Sequence, residues 1–365
     1  MKSKILIVGG FPSDNNQIFG GIVTSCQALM KSSFSKRFDV ITIDSTQIQN
    51  PIPTIFIRFL YAFKRSSLYF FKLLFKRPDV VILFPAIGAS LAEKGMMSWL
   101  AFFLRIPVLM FPRGGPLLNQ VKESAFTKFW VKIVFSSSTM VLCQGPAWKN
   151  FAMEVLGFSD NKSPIIFNWT ATDSLLAIGE EKLTKETSLP LNILFLGWVE
   201  KEKGIFDLLD VCLDLKEDYK FKVSIAGGGS CEETAKKIAI NNNLDVRFYG
   251  WVDRTKLKYI FENSDILVLP SWAEGFPNAI IEAMASGIPV IVSSVGNIPD
   301  IIKHKSEALL VPPKNKNALR ASIINLIESD ELRNKLSRNG HEFASRNFSV
   351  EKAAIKLEQI IKSIL

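Results

Sequence analysis

One short pattern occurs twice in this chain, and it narrows the possible folds to one class. Residues 4–8 (KILIV) form a β-branched run that ends in Gly9-Gly10, with Gly20-Gly21 and an apolar, helix-like segment after it. Residues 192–196 (NILFL) form a second run ending in Gly197, followed by Lys203-Gly204 and the helical IFDLLDVCLDL. Each reads as strand, glycine loop and helix, the opening unit of a parallel α/β domain. Further runs at 39–43, 79–84, 107–111 and 140–143 fit strands of the first half, and those at 222–226, 245–249, 265–270 and 289–293 fit the second. They are continuously apolar, as expected of strands covered on both faces. At 365 residues the chain exceeds one ordinary core. The expected architecture is therefore α/β: two Rossmann-like parallel-sheet domains, residues 1–172 and 191–349, facing across a cleft. The more polar stretch 173–190 is the expected linker. Residues 350–365 carry apolar positions at helical spacing.

Ligands of open α/β sheets bind at the carboxyl ends of the strands. The stretch WAEGFPNAIIEAMASGIPVIVSS (272–294) starts at such an end and carries Glu274 and Glu282 with seven residues between them. Residues 272–278 read as a loop and 279–286 as a helix ended by Gly287-Ile288-Pro289. The first N–H groups of that helix, at Asn278, Ala279 and Ile280, are free to hold an anion or hydroxyls. Glu282, one turn in, can accept two hydrogen bonds from a vicinal diol such as a ribose, and Glu274 can do the same for other hydroxyls. The spacing suits a ligand with two polyol ends and an anion between them, the shape of a nucleotide-sugar. Ordinary acids near a helix start are the simpler reading of either glutamate alone. Gly275, Pro277 and Gly287, specified together with both acids, speak against it for the whole stretch.

The net charge of +9 is concentrated. Residues 1–170 hold 19 Lys+Arg against eight Asp+Glu, which leaves 25 against 27 for the rest. Such asymmetry points to a polyanionic partner for the first half. Residues 52–77 contain six cations (Arg58, Lys64, Arg65, Lys72, Lys76, Arg77), eight aromatics and no acid. That run suits an anionic membrane surface, and apolar, basic stretches recur at 96–112 and 125–135. Aromatics at helical spacing are also ordinary core, and for about half of them that reading holds. None of these stretches reaches the roughly 20 residues needed to span a bilayer. The four cysteines show no C-x-x-C pairing, so a reducing cytoplasm is expected. The N-terminus has no signal-peptide run.

The stretch EGFPNAIIEAMASGIPVI resembles the Glu-x7-Glu signature of family 4 of the retaining glycosyltransferases, which have the two-domain GT-B architecture. GWVEKEKG (197–204) resembles that family's Gly-Arg-x-x-x-x-Lys-Gly loop. RFYGWVDRTKLKYIFENSDILVLPS (247–271), VGNIPDII (295–302), RNFSVEKAAIKLEQII (346–361) and Gly20-Gly21 also fit. The resemblance implies that Glu282 holds the ribose, and that Glu274 and the backbone of Phe276, Pro277, Asn278 and Ala279 hold the donor sugar, with Gly275 in the same donor-binding loop. It implies that Lys203 neutralises the diphosphate, that Gly20-Gly21 and Gly197 allow close backbone approach, and that Gly250, Trp251 and Val252 lie beside the base. The last helix would cross back onto the first domain. A lysine and a helix N-terminus can stabilise a departing diphosphate without a metal, and no D-x-D occurs in the chain. No metal and no cofactor are expected.

Two departures stand out. The family's loop arginine is Trp198 here, so Arg254 or a first-domain residue would supply the missing cation, or Trp198 packs on the loop. A first-domain histidine common in the family is absent: His304 and His341 lie in the second half and read as surface residues. FPRGGPLL (111–118) occupies the corresponding place, and Arg113 reads as a contact to the donor diphosphate or to an acceptor phosphate. The expected reaction moves a hexose from a UDP-sugar, or next a GDP-sugar, to a polyprenyl-diphosphate-linked or oligosaccharide acceptor. The setting is bacterial O-antigen, capsule or exopolysaccharide assembly, at the inner face of the cytoplasmic membrane. A dehydrogenase lacks its G-x-G-x-x-G here. A nucleic-acid module leaves Lys203, Glu274 and Glu282 without purpose. A GT-B epimerase or phosphorylase, or a transferase that binds without catalysing, remains open.

Overall fold

The computed structural model describes residues 2–12, 20–46, 54–115, 117–185 and 189–365. The chain divides into two compact units: Met1–Thr170 with Val350–Leu365, and Ala171–Ser349. Positions 52, 53, 116 and 186–188, within stretches singled out above, lie outside the described residues.

In the first unit β1 (Lys4–Gly9), β2 (Asp39–Asp44), β3 (Val80–Leu83), β4 (Val108–Met110) and β5 (Met140–Val141) pair in the order β2-β1-β3-β4-β5, all parallel. The helices are α1 (Gly21–Lys31), α2 (Phe34–Arg37), α3 (Ile55–Lys76), α4 (Ala89–Phe103), α5 (Leu117–Glu123), α6 (Ala125–Ser136) and α7 (Pro146–Asn150). Strand order runs one way from β1 to β2 and the other way from β2 through β5. Right-handed crossovers therefore put α1 and α2 on one face of the sheet and α3, α4 and α6 on the other. Two separate clusters of buried side chains reflect this, one holding Tyr69, Leu73, Met97 and Val131, the other Leu29 and Phe34.

In the second unit β6 (Leu191–Leu196), β7 (Phe221–Ala226), β8 (Val246–Gly250), β9 (Ile266–Leu269), β10 (Val290–Ser293) and β11 (Leu309–Val311) pair in the order β11-β10-β9-β6-β7-β8, again all parallel. Its helices are α8 (Asp173–Lys182), α9 (Ile205–Leu215), α10 (Glu232–Asn241), α11 (Arg254–Glu262), α12 (Asn278–Ala285), α13 (Ile298–Ile301), α14 (Lys316–Glu328) and α15 (Asp330–Asn347). The expected linker differs from what is found. Most of it is α8, which buries Leu175, Ile178 and Gly179, a spacing that puts one face on the second unit. Gly179 is needed there, since a Cβ would lie 2.3 Å from both the Ala285 carbonyl oxygen and His341 Nδ1. His341, expected on the surface, is half-buried and pairs with the Ala285 carbonyl at 2.8 Å.

The last helix, α16 (Val350–Ile364), is part of the first unit. Its buried stripe of Val350, Ala354, Leu357 and Ile361 joins the core of α1 and α2. Glu351 accepts from the Ser33 amide at 3.0 Å, and Glu358 pairs with Arg37. No described helix is long and apolar enough to cross a membrane.

Candidate active site

In the second sheet the strand order reverses between β6 and β9, and the loops leaving those two strands carry Lys203 and Glu274. A switch point of this kind leaves a crevice at the carboxyl ends of the strands. Lys203 Nζ lies 2.5 Å from Glu274 Oε1, with both groups mostly buried. Two glycines let the loops close on each other. Gly204 has φ +74, and a Cβ there would lie 2.2 Å from the Pro270 carbonyl oxygen. Gly296 has φ +58, and a Cβ there would lie 1.9 Å from the Glu274 carbonyl oxygen. The Glu274 loop is further held by Trp272, whose amide donates to Glu202 O at 2.8 Å and whose indole N–H donates to Asp207 Oδ2 at 2.8 Å. Phe276 is buried against Phe348, with ring centroids 5.3 Å apart.

Pro277 is the N-cap of α12, and its side chain makes no capping hydrogen bond. Ile280 N donates back to Pro277 O at 3.3 Å, so it is less free than the sequence suggested. Asn278 and Ala279 begin the helix beside Gly275 and Glu274. Glu282 is buried on this helix, and burial pushes its carboxyl up to about 7, against the opposing field of Arg254. Arg254, at the start of α11, is lowered by its own burial and raised by Glu282. Arg254 is thus electrostatically tied to Glu282, the carboxylate expected to hold the ribose.

Trp198 packs on a second indole. Its ring meets Trp251 at 4.7 Å between centroids and 77° between planes. The two indoles follow β6 and β8, and Gly228 after β7 makes room for Trp251: a Cβ there would lie 2.6 Å from Trp251 Nε1. Gly197, Gly250 and Val252 flank this pair in sequence. Both indoles stay more than one-third exposed, an aromatic surface at the carboxyl edge of the sheet.

In the first unit Arg113 follows β4. Its guanidinium lies 4.6 Å from the centroid of Phe111, 5.4 Å from that of Trp169 and 5.6 Å from that of Phe84. Nη1 donates to Asn168 Oδ1. Nε and Nη2 are buried without a partner among the described residues, and burial lowers the group to about 10. This is no solvated turn residue. Gly20 precedes α1, and a Cβ there would meet nothing within 4 Å among the described residues, so its lack of a side chain is not required by packing. Gly21 is the first residue of α1.

The six cations of residues 52–77 do not act as one group. Arg65 turns inward to Glu93, with Nε 2.6 Å from Oε1, and Lys72 Nζ donates to Thr42 O at 2.8 Å. Arg58, Lys64, Lys76 and Arg77 are exposed. Arg65 and Lys72 sit on the side of α3 that faces the sheet, together with Tyr69 and Leu73, so helical spacing removes them from the expected membrane-facing set.

Residues 181–343 match the family model described as glycosyl transferases group 1. An uncharacterized glycosyltransferase of Methanocaldococcus jannaschii is 27% identical over 279 residues, covering 76% of this chain and 72% of that protein. The amylovoran biosynthesis glycosyltransferase AmsK of Erwinia amylovora is 30% identical over 158 residues, covering 41% of this chain and 39% of that protein. Sucrose-phosphate synthase from Thermosynechococcus elongatus superposes with a TM-score of 0.78 at 18% identity, covering 100% of this chain and 99% of that one. Anabaena HepE, solved in complex with UDP and glucose, gives 0.70 at 14% identity over 99% and 100%. The fold shared with these structures is GT-B, two parallel-sheet α/β units.

The group 1 segment contains Lys203, Glu274 and Glu282, and it also contains cations that the sequence did not single out. Lys314 Nζ lies 4.4 Å and Lys201 Nζ 5.7 Å from the Trp272 ring centroid, two residues before Glu274. Asn168 and Trp169, which cradle Arg113, were likewise unmarked. Nothing in their local pattern distinguishes them, since each gains its role from strands distant in sequence.

Proposed function

We propose that the chain is a retaining, metal-independent glycosyltransferase. It moves a hexose or hexose derivative from a nucleotide-sugar, a UDP-sugar before a GDP-sugar, to a saccharide acceptor carried on a polyprenyl diphosphate, in bacterial surface-polysaccharide assembly at the inner face of the cytoplasmic membrane. The observation that carries this reading is the meeting of Lys203 and Glu274 at the switch point of the second sheet, beside the start of α12 and with Glu282 buried behind it. The UDP and glucose bound to HepE support the donor class. The name of the Erwinia protein supports the polysaccharide setting.

In this reading the bond between the anomeric carbon and the diphosphate oxygen breaks, and the diphosphate leaves with the electron pair. The acceptor hydroxyl oxygen bonds to the same face of that carbon, and its proton passes to the departing phosphate oxygen. Lys203 moves from Glu274 to the diphosphate, where charge develops, and the amides opening α12 add partial positive charge. Glu274 then holds sugar hydroxyls. Glu282 holds the ribose, with the Trp198–Trp251 surface beside the base. Arg113, whose Nε and Nη2 are buried without a partner among the described residues, would meet an acceptor phosphate once those donors are uncovered.

Two outcomes test this. Incubation with an α-configured nucleotide-sugar and a lipid-linked saccharide should give an α-linked product by NMR. A β-linked product would remove the retaining assignment, and turnover without acceptor would turn the reading toward an epimerase or phosphorylase. Arg113→Met should slow transfer by at least about tenfold while leaving thermal stability unchanged or slightly higher, because a buried cation with unpaired donors is costly to the fold. A marked drop in Tm, with kcat kept in the folded fraction, would make Arg113 structural.

A further inference from the structure

The outer surface of the first unit's α3–α4–α6 layer is apolar to a degree that a soluble surface does not need. Of the 29 large hydrophobic residues that are exposed among the described residues, 19 lie on these three helices. Contiguous exposed apolar patches beyond a few hundred Å² mark interaction sites. The feature is sharpest in α3. With 22 residues it is about 33 Å long, and only its second half docks, through Tyr69 and Leu73. None of the side chains from Ile55 to Lys64 is buried. Phe56, Phe59, Phe63, Phe70 and Leu74 fall on one stripe of the helix at helical spacing, with Phe56, Phe59 and Phe63 each about two-thirds exposed. Phe103, at the end of α4, is 72% exposed and Phe126, at the start of α6, is 77% exposed. The layer is one rigid support: Tyr69 OH donates to Met97 O at 2.9 Å, and Trp99 Nε1 donates to Ile133 O at 3.1 Å.

We infer that this face inserts its aromatic side chains into the interfacial region of a phospholipid bilayer, so that apolar burial rather than cation–lipid attraction holds the protein there. The inference deepens the membrane part of the function proposed above and rests on it. Two observations favour a lipid surface. The exposed charges on these three helices have one sign: α3 and α6 contain no acidic residue, Glu93 of α4 is paired with Arg65 and Lys94, and Arg58, Lys64, Lys76, Lys128 and Lys132 flank the aromatics. A second copy docked face to face would set these cations against their own mates, whereas phospholipid phosphates complement them. Two of the six cations of the 52–77 stretch, Arg65 and Lys72, are turned to protein partners. That leaves the aromatic stripe as the larger contribution, in the manner of an in-plane amphipathic helix.

Vesicle flotation of the full chain tests the inference, with phosphatidylcholine alone and with phosphatidylcholine mixed with phosphatidylglycerol. Wild type should bind both, the mixed vesicles more tightly. The triple variant Phe56→Ser/Phe59→Ser/Phe63→Ser, and separately Phe126→Ser/Phe129→Ser, should each lower the bound fraction by about tenfold, and Lys64→Gln/Lys76→Gln by less than about threefold. Unchanged far-ultraviolet circular dichroism and Tm of the same proteins check that the exposed positions left the fold intact. Binding to mixed vesicles alone, lost in the lysine variant and kept in the aromatic ones, would overturn insertion while leaving membrane attachment standing. Binding to neither vesicle would overturn both. A dimer in sedimentation that the aromatic variants dissolve would make this face a self-interface instead.

Discussion

Lys203→Ala should lower kcat/KM for sugar transfer by about 100- to 1000-fold, the size expected when one preorganised charge is removed from a developing anion. It should also weaken UDP binding. Glu274→Gln should lose transfer to a similar extent yet bind UDP as tightly as wild type or more tightly. The reason lies in the donor-free geometry. Lys203 is already engaged, 2.5 Å from Glu274, so an incoming diphosphate competes with that carboxylate, and a neutral amide in its place competes less. Each variant leaves the other, mostly buried charge without its partner, so some stability should also be lost, and rates and affinities are compared on the folded fraction. Steady-state rates and UDP affinities for both variants decide it. If Glu274→Gln weakens UDP as much as Lys203→Ala does, the two residues hold the nucleotide together and the exchange is wrong.

Glu282→Gln should separate stability from function. The folded carboxyl sits near 7, above its ordinary value of 4.5, because burial disfavours the charge. Between those two values the folded protein keeps a proton that the unfolded chain has released, so stability falls as pH rises from about 4.5 to about 7 and stays low above that. An amide cannot ionise. Glu282→Gln should therefore be more stable than wild type at pH 8, by about 1–3 kcal/mol as an order of magnitude, and nearly equal to it at pH 4.5. The same change should weaken nucleotide binding, since an ionised carboxylate accepts from a diol more strongly than an amide does. Denaturant unfolding at the two pH values measures the first effect. An equal difference at both pH values would mean that ionisation of Glu282 is not its cause.

Ten of the eleven described strands were legible, the interior ones because parallel strands buried on both faces read as unbroken apolar runs; β2 and β8, at sheet edges, are only partly buried. The exception, β11, has three residues before Pro312 and resembles the end of a loop. α8 was hidden by composition: Glu180-Glu181-Lys182 look like linker, while the burial of Leu175, Ile178 and Gly179 is evident only once α12 and α15 stand beside them. At the candidate site the glutamates were legible as a local motif. Their partners were less so. Lys203 reaches Glu274 across 71 positions because β6 and β9 are neighbours in the sheet, and the cage around Arg113 gathers Phe84, Phe111 and Trp169 from separate segments. Arg65 and Lys72 show the reverse error: a charge count cannot tell which side of a helix a cation occupies.

The central claim is that the crevice between β6 and β9 holds a nucleotide, with its ribose on Glu282. Calorimetric titration of UDP, GDP and ADP into wild type and Glu282→Ala tests it most directly. The account predicts that wild type binds one of the three, UDP before GDP, and that Glu282→Ala, still folded by circular dichroism, loses that binding. Equal binding by both proteins, or no binding of any nucleotide to wild type, would contradict it.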